Sequence, residues 1–263
     1  MSTPEVFVYA DGDLLAKAAA ARIVTATADA IAASGRAHLV LTGGGIGTKV
    51  LAAIAAEPAA TAVDWGRVDF WWGDERFEPA GDPERNETGA RAALLDHIAV
   101  DPARVHPMAG PDGPDGDDPD ASAERYAAEL AAAAAGGPGG PDGPGGPGGP
   151  DRAGYPVFDV VLLGIGPEGH VASLFPELPA VYDKRPVVAV RNSPKPPPTR
   201  VSLTFGPIQA AREVWILASG GEKAEAVARA LAGEPEDKLP AAGARGTART
   251  LYLLDKAAAA DLS

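Results

Sequence analysis

The chain has 263 residues, 46% of them apolar and only 6% aromatic, enough for one large α/β domain or two small ones with a sizeable core. Its formal net charge of −13 argues against nucleic acid and anionic membranes, which are bound by basic patches, but leaves room for a small anion in a locally basic site. The absence of cysteine excludes disulfides, thiolate metal sites and a cysteine nucleophile. No apolar run approaches the ~18 residues of a membrane span and no charged-then-apolar leader opens the chain, so a cytoplasmic protein is expected.

In chain order, residues 5–9 read as a short strand, and Asp11 or Asp13 is placed to cap an Ala-rich helix that runs to Ser34 and stops at Gly35. Residues 38–41 are a second apolar strand, leading into Thr42-Gly43-Gly44-Gly45-Ile46-Gly47-Thr48 and a helix through about Ala56. A third strand, 68–72, precedes Gly73-Asp74-Glu75-Arg76-Phe77, and Asn86 is expected to cap a helix reaching Ile98. Residues 110–121 are mostly Gly, Pro and Asp and read as a loop; a helix over 123–135 follows. Residues 136–154 hold five successive Gly-Pro-X triplets from Gly137 to Asp151, too few for a collagen helix and read instead as a solvated insertion.

After the insertion, the apolar run 158–163 reads as a buried strand and runs into Gly164-Ile165-Gly166-Pro167-Glu168-Gly169-His170, with His170 expected at the start of a helix. Residues 187–190, 200–205, 214–218 and 251–254 complete the strand set. Strands alternating with helices imply a single α/β domain over residues 1–263, Rossmann-like, with a mostly parallel sheet covered on both faces.

Such a sheet places its ligand at the carboxyl ends of its strands, and the turns there carry the chemistry-bearing residues. Gly164, Gly166 and Gly169 match a dinucleotide fingerprint in spacing, but Pro167 within it and its late position in the chain argue against that reading. Gly43, Gly44 and Gly45 present bare N–H groups able to cradle a phosphate, without P-loop spacing; the ordinary alternative is a tight packing turn. Asp74-Glu75-Arg76 would be a solvated charge run anywhere else, yet after a parallel strand it faces the crevice, where Arg76 can fork onto a phosphate. Lys195 and Arg200 flank a stiff Pro-rich run that either links or presents two cations. Of four histidines, His38 and His97 read as structural and His106 lies in a Pro-flanked loop, which leaves His170 on its glycine turn. No pair has metal-ligand spacing, and Ser173 is not in a nucleophile elbow, so neither a metal nor a cofactor is expected.

These motifs, in this order and across most of the chain, resemble the 6-phosphogluconolactonase family, grouped with glucosamine-6-phosphate deaminases and ribose-5-phosphate isomerases. The family's long signature appears as Gly164 to Pro176, with Glu168 where it usually has Asp and Val171 where it has Thr. Its first loop, usually Gly-Gly-Ser-Thr-Pro, reads Gly43-Gly44-Gly45-Ile46-Gly47. The resemblance implies hydrolysis of 6-phospho-D-glucono-1,5-lactone, with His170 as the base for water and helix-start N–H groups stabilising the oxyanion. Arg76 and Arg200 would hold the phosphate, helped by Lys195 and the Gly43–Gly45 turn. Asp74 would orient a sugar hydroxyl or Arg76, and Glu168 would orient His170. The substrate is the one partner implied, with no obligate protein partner. An aminosugar-phosphate deaminase or isomerase and a non-catalytic sugar-phosphate sensor are the alternatives. Ser173-Leu174-Phe175-Pro176, where the deaminase has Phe-Asn-Glu-Pro, favours the lactonase.

Overall fold

The computed structural model describes residues 2–135 and 154–262, so the expected insertion lies outside the described residues except for Gly154. Strand β1 (Pro4–Tyr9) leads to α1 (Gly12–Ser34), capped by the Asp11 side chain on the N–H groups of Asp13 and Leu14 and ended by Gly35 at φ +81°. Then come β2 (Ala37–Leu41), α2 (Gly44–Ala56), β3 (Val68–Trp72), β4 (Asp74–Arg76), α3 (Asn86–Ala93) and α4 (Pro119–Ala135). The second half carries β5 (Val160–Gly164), β6 (Val187–Val190), β7 (Arg200–Leu203), α5 (Phe205–Ala210), β8 (Glu213–Ala218), α6 (Ala224–Leu231), α7 (Pro240–Gly243) and β9 (Arg249–Asp255).

Six strands form one parallel sheet in the order β1-β9-β8-β5-β2-β3. Alternate side chains of β2, β3, β5, β8 and β9 serve two cores, while β1 at the edge leaves Val6 and Val8 exposed. Leu39, Leu41, Phe70, Trp72, Leu162 and Leu217 pack with Leu15 and Ile23 of α1 and Val50 and Ile54 of α2. Val40, Trp71, Val161, Leu163 and Ile216 pack on the other face with Tyr126 and Leu130 of α4 and Val227 of α6. Strands buried on both faces are mostly apolar, which is why β2 and β3 are conspicuous as runs despite the buried His38 and Asp69 near their starts.

Three strands stand apart. β4, β7 and β6 make a small antiparallel sheet, although the alternation of elements predicts one parallel set. Gly73 is the joint: its N–H donates to Leu41 O in the large sheet, and its carbonyl accepts from Leu203 N in the small one. The polypeptide changes sheets within one residue, so Asp74 to Arg76 continue from β3 as a strand of their own.

Two helix expectations are corrected. α3 ends at Ala93 and passes through a short 3-10 turn at Leu95–His97 instead of continuing to Ile98. Asn86 is its first residue rather than its cap. No helix begins at His170: residues 171–174 form a tight turn closed by a Val171–Leu174 bridge, with Ala172 at φ +49°. Pro176 would have broken a helix there in its second turn. The loop after residue 110 runs as turns to residue 118; Asp112 accepts the Ala80 N–H and Asp115 pairs with Arg125. Among the described residues, no helix is long and apolar enough to cross a membrane.

Candidate active site

The carboxyl ends of β8, β5, β2 and β3 lie side by side, and the turns leaving them line a cavity of about 520 Å³. β2 and β5 are neighbours although their connections run to opposite sides of the sheet, the arrangement that opens a crevice. The turns after these two strands touch, the Gly164 N–H donating to Thr42 Oγ1.

His170 reaches the cavity from the turn after β5. Its ring stacks on Phe175 at 4.5 Å between centroids and lies across Gly166, where any side chain would fall on the imidazole and on Glu168. Nδ1 is 3.1 Å from Glu168 Oε1, close enough for contact but without the alignment of a straight hydrogen bond. Glu168 Oε2 accepts from Lys195 Nζ at 3.0 Å. Partial burial works against ionisation of Glu168, but His170 and Lys195 more than offset it and hold the carboxyl down to about 2. Glu168 thus stands behind His170, outside the cavity lining.

Gly43, Gly44 and Gly45 open α2 with their N–H groups at the cavity and no capping side chain of their own. Asp74, Arg76, Lys195 and Arg200 also line it. Asp74 is committed internally: Oδ2 accepts from Ser173 Oγ at 2.6 Å, and Asn86 Nδ2 approaches Oδ1 at 3.3 Å. Ser173, fully buried, is therefore part of the scaffold rather than a nucleophile. Arg200 is also occupied. Nε donates to Pro197 O, Nη2 to the carbonyls of Lys195 and Pro196, and Nη1 lies 3.7 Å from Asp74. Its guanidinium shapes the Pro-rich loop, which leaves Arg76 as the freer fork.

Reasoning from sequence passed over Lys49, Asn86, Ser219, Glu222 and Lys223, all on the cavity wall. Ser219 to Lys223 form a third glycine turn after a strand, with Gly220 at φ +103°, repeating at β8 the pattern visible after β2 and β5. That repetition was the available signal. His106 is elsewhere, stacked on Trp71 at 3.8 Å with Nε2 at 3.1 Å from Asp69. His38 is buried, its Nδ1 accepting from Trp71 Nε1, and burial pushes its imidazole down to about 4. Among the described residues no cluster of three His, Cys, Asp or Glu is arranged to hold a metal.

Comparison with known proteins bears on what such a cavity does. The family model described as Glucosamine-6-phosphate isomerases/6-phosphogluconolactonase matches residues 10–253. A 6-phosphogluconolactonase of Streptomyces coelicolor is 56% identical over 261 residues, covering 99% of this chain and 95% of the relative. That of Mycobacterium tuberculosis is 49% identical over 256 residues, 97% of each chain. Among solved structures, the 6-phosphogluconolactonase of Trypanosoma brucei matches with a TM-score of 0.78 at 29% identity over the whole of both chains. A monomeric glucosamine-6-phosphate deaminase, at 22% identity and a TM-score of 0.72 over 99% of this chain and 100% of the other, shares the fold.

Proposed function

The chain belongs to the glucosamine-6-phosphate isomerase/6-phosphogluconolactonase family, and on that premise we propose that it hydrolyses 6-phospho-D-glucono-1,5-lactone with His170 as the general base. It is an enzyme, a lactone hydrolase of sugar-phosphate metabolism. The observation that carries the assignment of roles is the sharing of one cavity by a carboxylate-backed imidazole and a cation-lined glycine turn.

A δ-lactone is an activated ester, so a held water and a base suffice. Glu168 beside Nδ1 favours the tautomer that leaves Nε2 free to accept a proton. Nε2 takes that proton as the water oxygen attacks C1; the tetrahedral oxyanion then collapses, the bond from C1 to the ring oxygen breaks, and Nε2–H returns the proton to that oxygen. Lys195, which lines the cavity and is tied to the same Glu168 that stands beside His170, takes the oxyanion-stabilising role expected of helix N–H groups. The phosphate is assigned to the N–H groups of Gly43, Gly44 and Gly45 with Arg76, and Lys49 and Lys223 add charge to the cavity lining. Asp74 holds the frame through Ser173 and Asn86. The expectation of a cytoplasmic enzyme without an obligate protein partner is kept within this proposal.

The test offers the purified protein 6-phosphogluconolactone and glucosamine 6-phosphate, following acid release from one and ammonia release from the other. Acid release alone is expected. His170→Ala should lower kcat by ~10²–10⁴ with little change in KM. A variant keeping most of its kcat would remove His170 from the chemistry, and ammonia release would replace lactone hydrolysis with deamination.

A further inference from the structure

Arg76 is the forked cation assigned to the phosphate, yet its own anchoring is sparse. Nη1 donates to Asn86 Oδ1, and Nε is buried without a partner. A long side chain held at one point loses little rotamer freedom, so whatever fixes Asn86 decides where the guanidinium sits. Asn86 is well fixed. Nδ2 donates to Asp74 O at 2.8 Å, and Oδ1 fills the space that a side chain at Gly43 would need, locking β4 and the glycine turn to the same amide.

The main chain of Asn86 is held by one carboxylate. Glu75 Oε1 accepts from Asn86 N at 2.7 Å and from Arg76 N at 2.8 Å, and Oε2 accepts from Glu87 N at 2.8 Å. α3 has no side-chain cap at Arg85, so Glu75 caps it from strand β4. A cap alone would not call for this residue. Ser, Thr or Asn satisfies a helix start without burying a charge, whereas Glu75 is 2% exposed. What a glutamate adds is reach: one group gathers N–H groups from both elements that hold Arg76.

We infer that Glu75 is a positioning residue for substrate binding: by capping α3 it fixes Asn86, and through Asn86 it sets the Arg76 guanidinium on the cavity wall beside the Gly43 turn. This rests on the assignment of Arg76 to the phosphate.

The charged surroundings give the inference a readout. Around Glu75 stand Asp74 and Arg76 on β4, Arg200 on β7, Arg85 just before α3, Glu87 on α3, and Tyr126 on α4. Burial pushes its carboxyl up to about 7, against the pull of Arg85 and the three N–H groups. Once protonated, the group turns an O–H toward donors and cannot accept all three. The grip of Arg76 therefore loosens as pH falls below about 7.

The test compares steady-state kinetics of the wild type, Arg76→Ala, Glu75→Gln, Asn86→Ala and the Glu75→Gln/Arg76→Ala double variant on 6-phosphogluconolactone, with circular dichroism as a check on folding. Arg76→Ala should raise KM by ~10-fold or more, and Glu75→Gln and Asn86→Ala by ~3–10-fold, with kcat within ~2-fold of wild type. The double variant should match Arg76→Ala within ~2-fold, because the relay has no separate effect once its end is removed. The ratio of Glu75→Gln to wild-type KM should shrink from pH 8 to pH 6, as the wild type loses the same cap. A folded Glu75→Gln with wild-type KM, a multiplicative double variant or a pH-independent ratio would overturn the inference. If Glu75→Gln does not fold, Asn86→Ala decides, since it keeps the cap and removes the relay: a wild-type KM there breaks the chain. A wild-type KM in Arg76→Ala overturns the phosphate assignment itself and the inference with it, a result distinct from the failure of Glu75→Gln alone.

Discussion

The imidazole of His170 is fixed on three sides before substrate arrives: Phe175 lies against one face, Glu168 beside Nδ1, and the bare Cα of Gly166 beneath. Gly166 has no need of a left-handed backbone, so its lack of a side chain serves clearance alone. Gly166→Ala should therefore keep the fold but push the ring off its position, and an error of ~1 Å there costs ~10²-fold in kcat. Circular dichroism with kcat measurement checks this; a folded Ala variant at wild-type rate would mean that the ring has room to shift and still act. His170 was legible in the sequence because it alone among four histidines follows a glycine turn at a strand end. Lys223 was not, although its glycine turn follows a strand, because a lone lysine at a helix start reads as solvated. Arg200 was legible as a residue of the site, but its bonding to the Lys195, Pro196 and Pro197 carbonyls depends on a loop conformation that no local pattern specifies.

At the scale of elements, runs such as β3 and β5 fall where the apolar pattern puts them, since a doubly buried strand is mostly apolar. What stayed hidden were the long-range substitutes for local signals: Glu75 capping α3 from another strand, and Gly73 passing the chain between sheets. The foot of β2 supplies a pH prediction. His38 is held neutral by burial and by Arg36 nearby, its imidazole pushed down from 6.5 to about 4. The unfolded chain therefore takes up a proton first as pH falls, so this stability is fully present above 6.5 and is lost as pH drops toward 4. The loss amounts to ~3 kcal/mol. Glu75 acts in the opposite sense, since its raised carboxyl binds a proton in the folded chain between 7 and the ordinary 4.5. His38→Asn keeps an acceptor for Trp71 and leaves Glu75 untouched, so the comparison isolates the histidine. Urea unfolding at pH 7 and pH 4 should show the variant losing ~3 kcal/mol less than wild type; equal losses would mean that His38 is charged in the fold.

Across the whole molecule, a net charge of −13 coexists with a cavity walled by Lys49, Arg76, Lys195, Arg200 and Lys223, the locally basic site that the composition left open. The parallel sheet divides the molecule into two ends: the cavity collects at the carboxyl ends of the strands, while loops that lead into strands collect at the other. The Gly-Pro segment falls between the end of α4 at Ala135 and the lead into β5 at Val160, and both attachments belong to the end away from the cavity. Residues 137–150 are Gly, Pro and Asp only, without an aliphatic or aromatic side chain to pack on the core. Replacing them with a short flexible linker should therefore leave kcat and KM within ~2-fold of wild type, and should change unfolding free energy by less than ~1 kcal/mol, since loop-closure entropy varies only slowly with length. Kinetics on 6-phosphogluconolactone and urea unfolding of the deletion variant check both. A folded variant with KM raised tenfold would show the segment reaching round to the cavity, and loss of stability with kinetics intact would show it packing on the end of the sheet where it is attached.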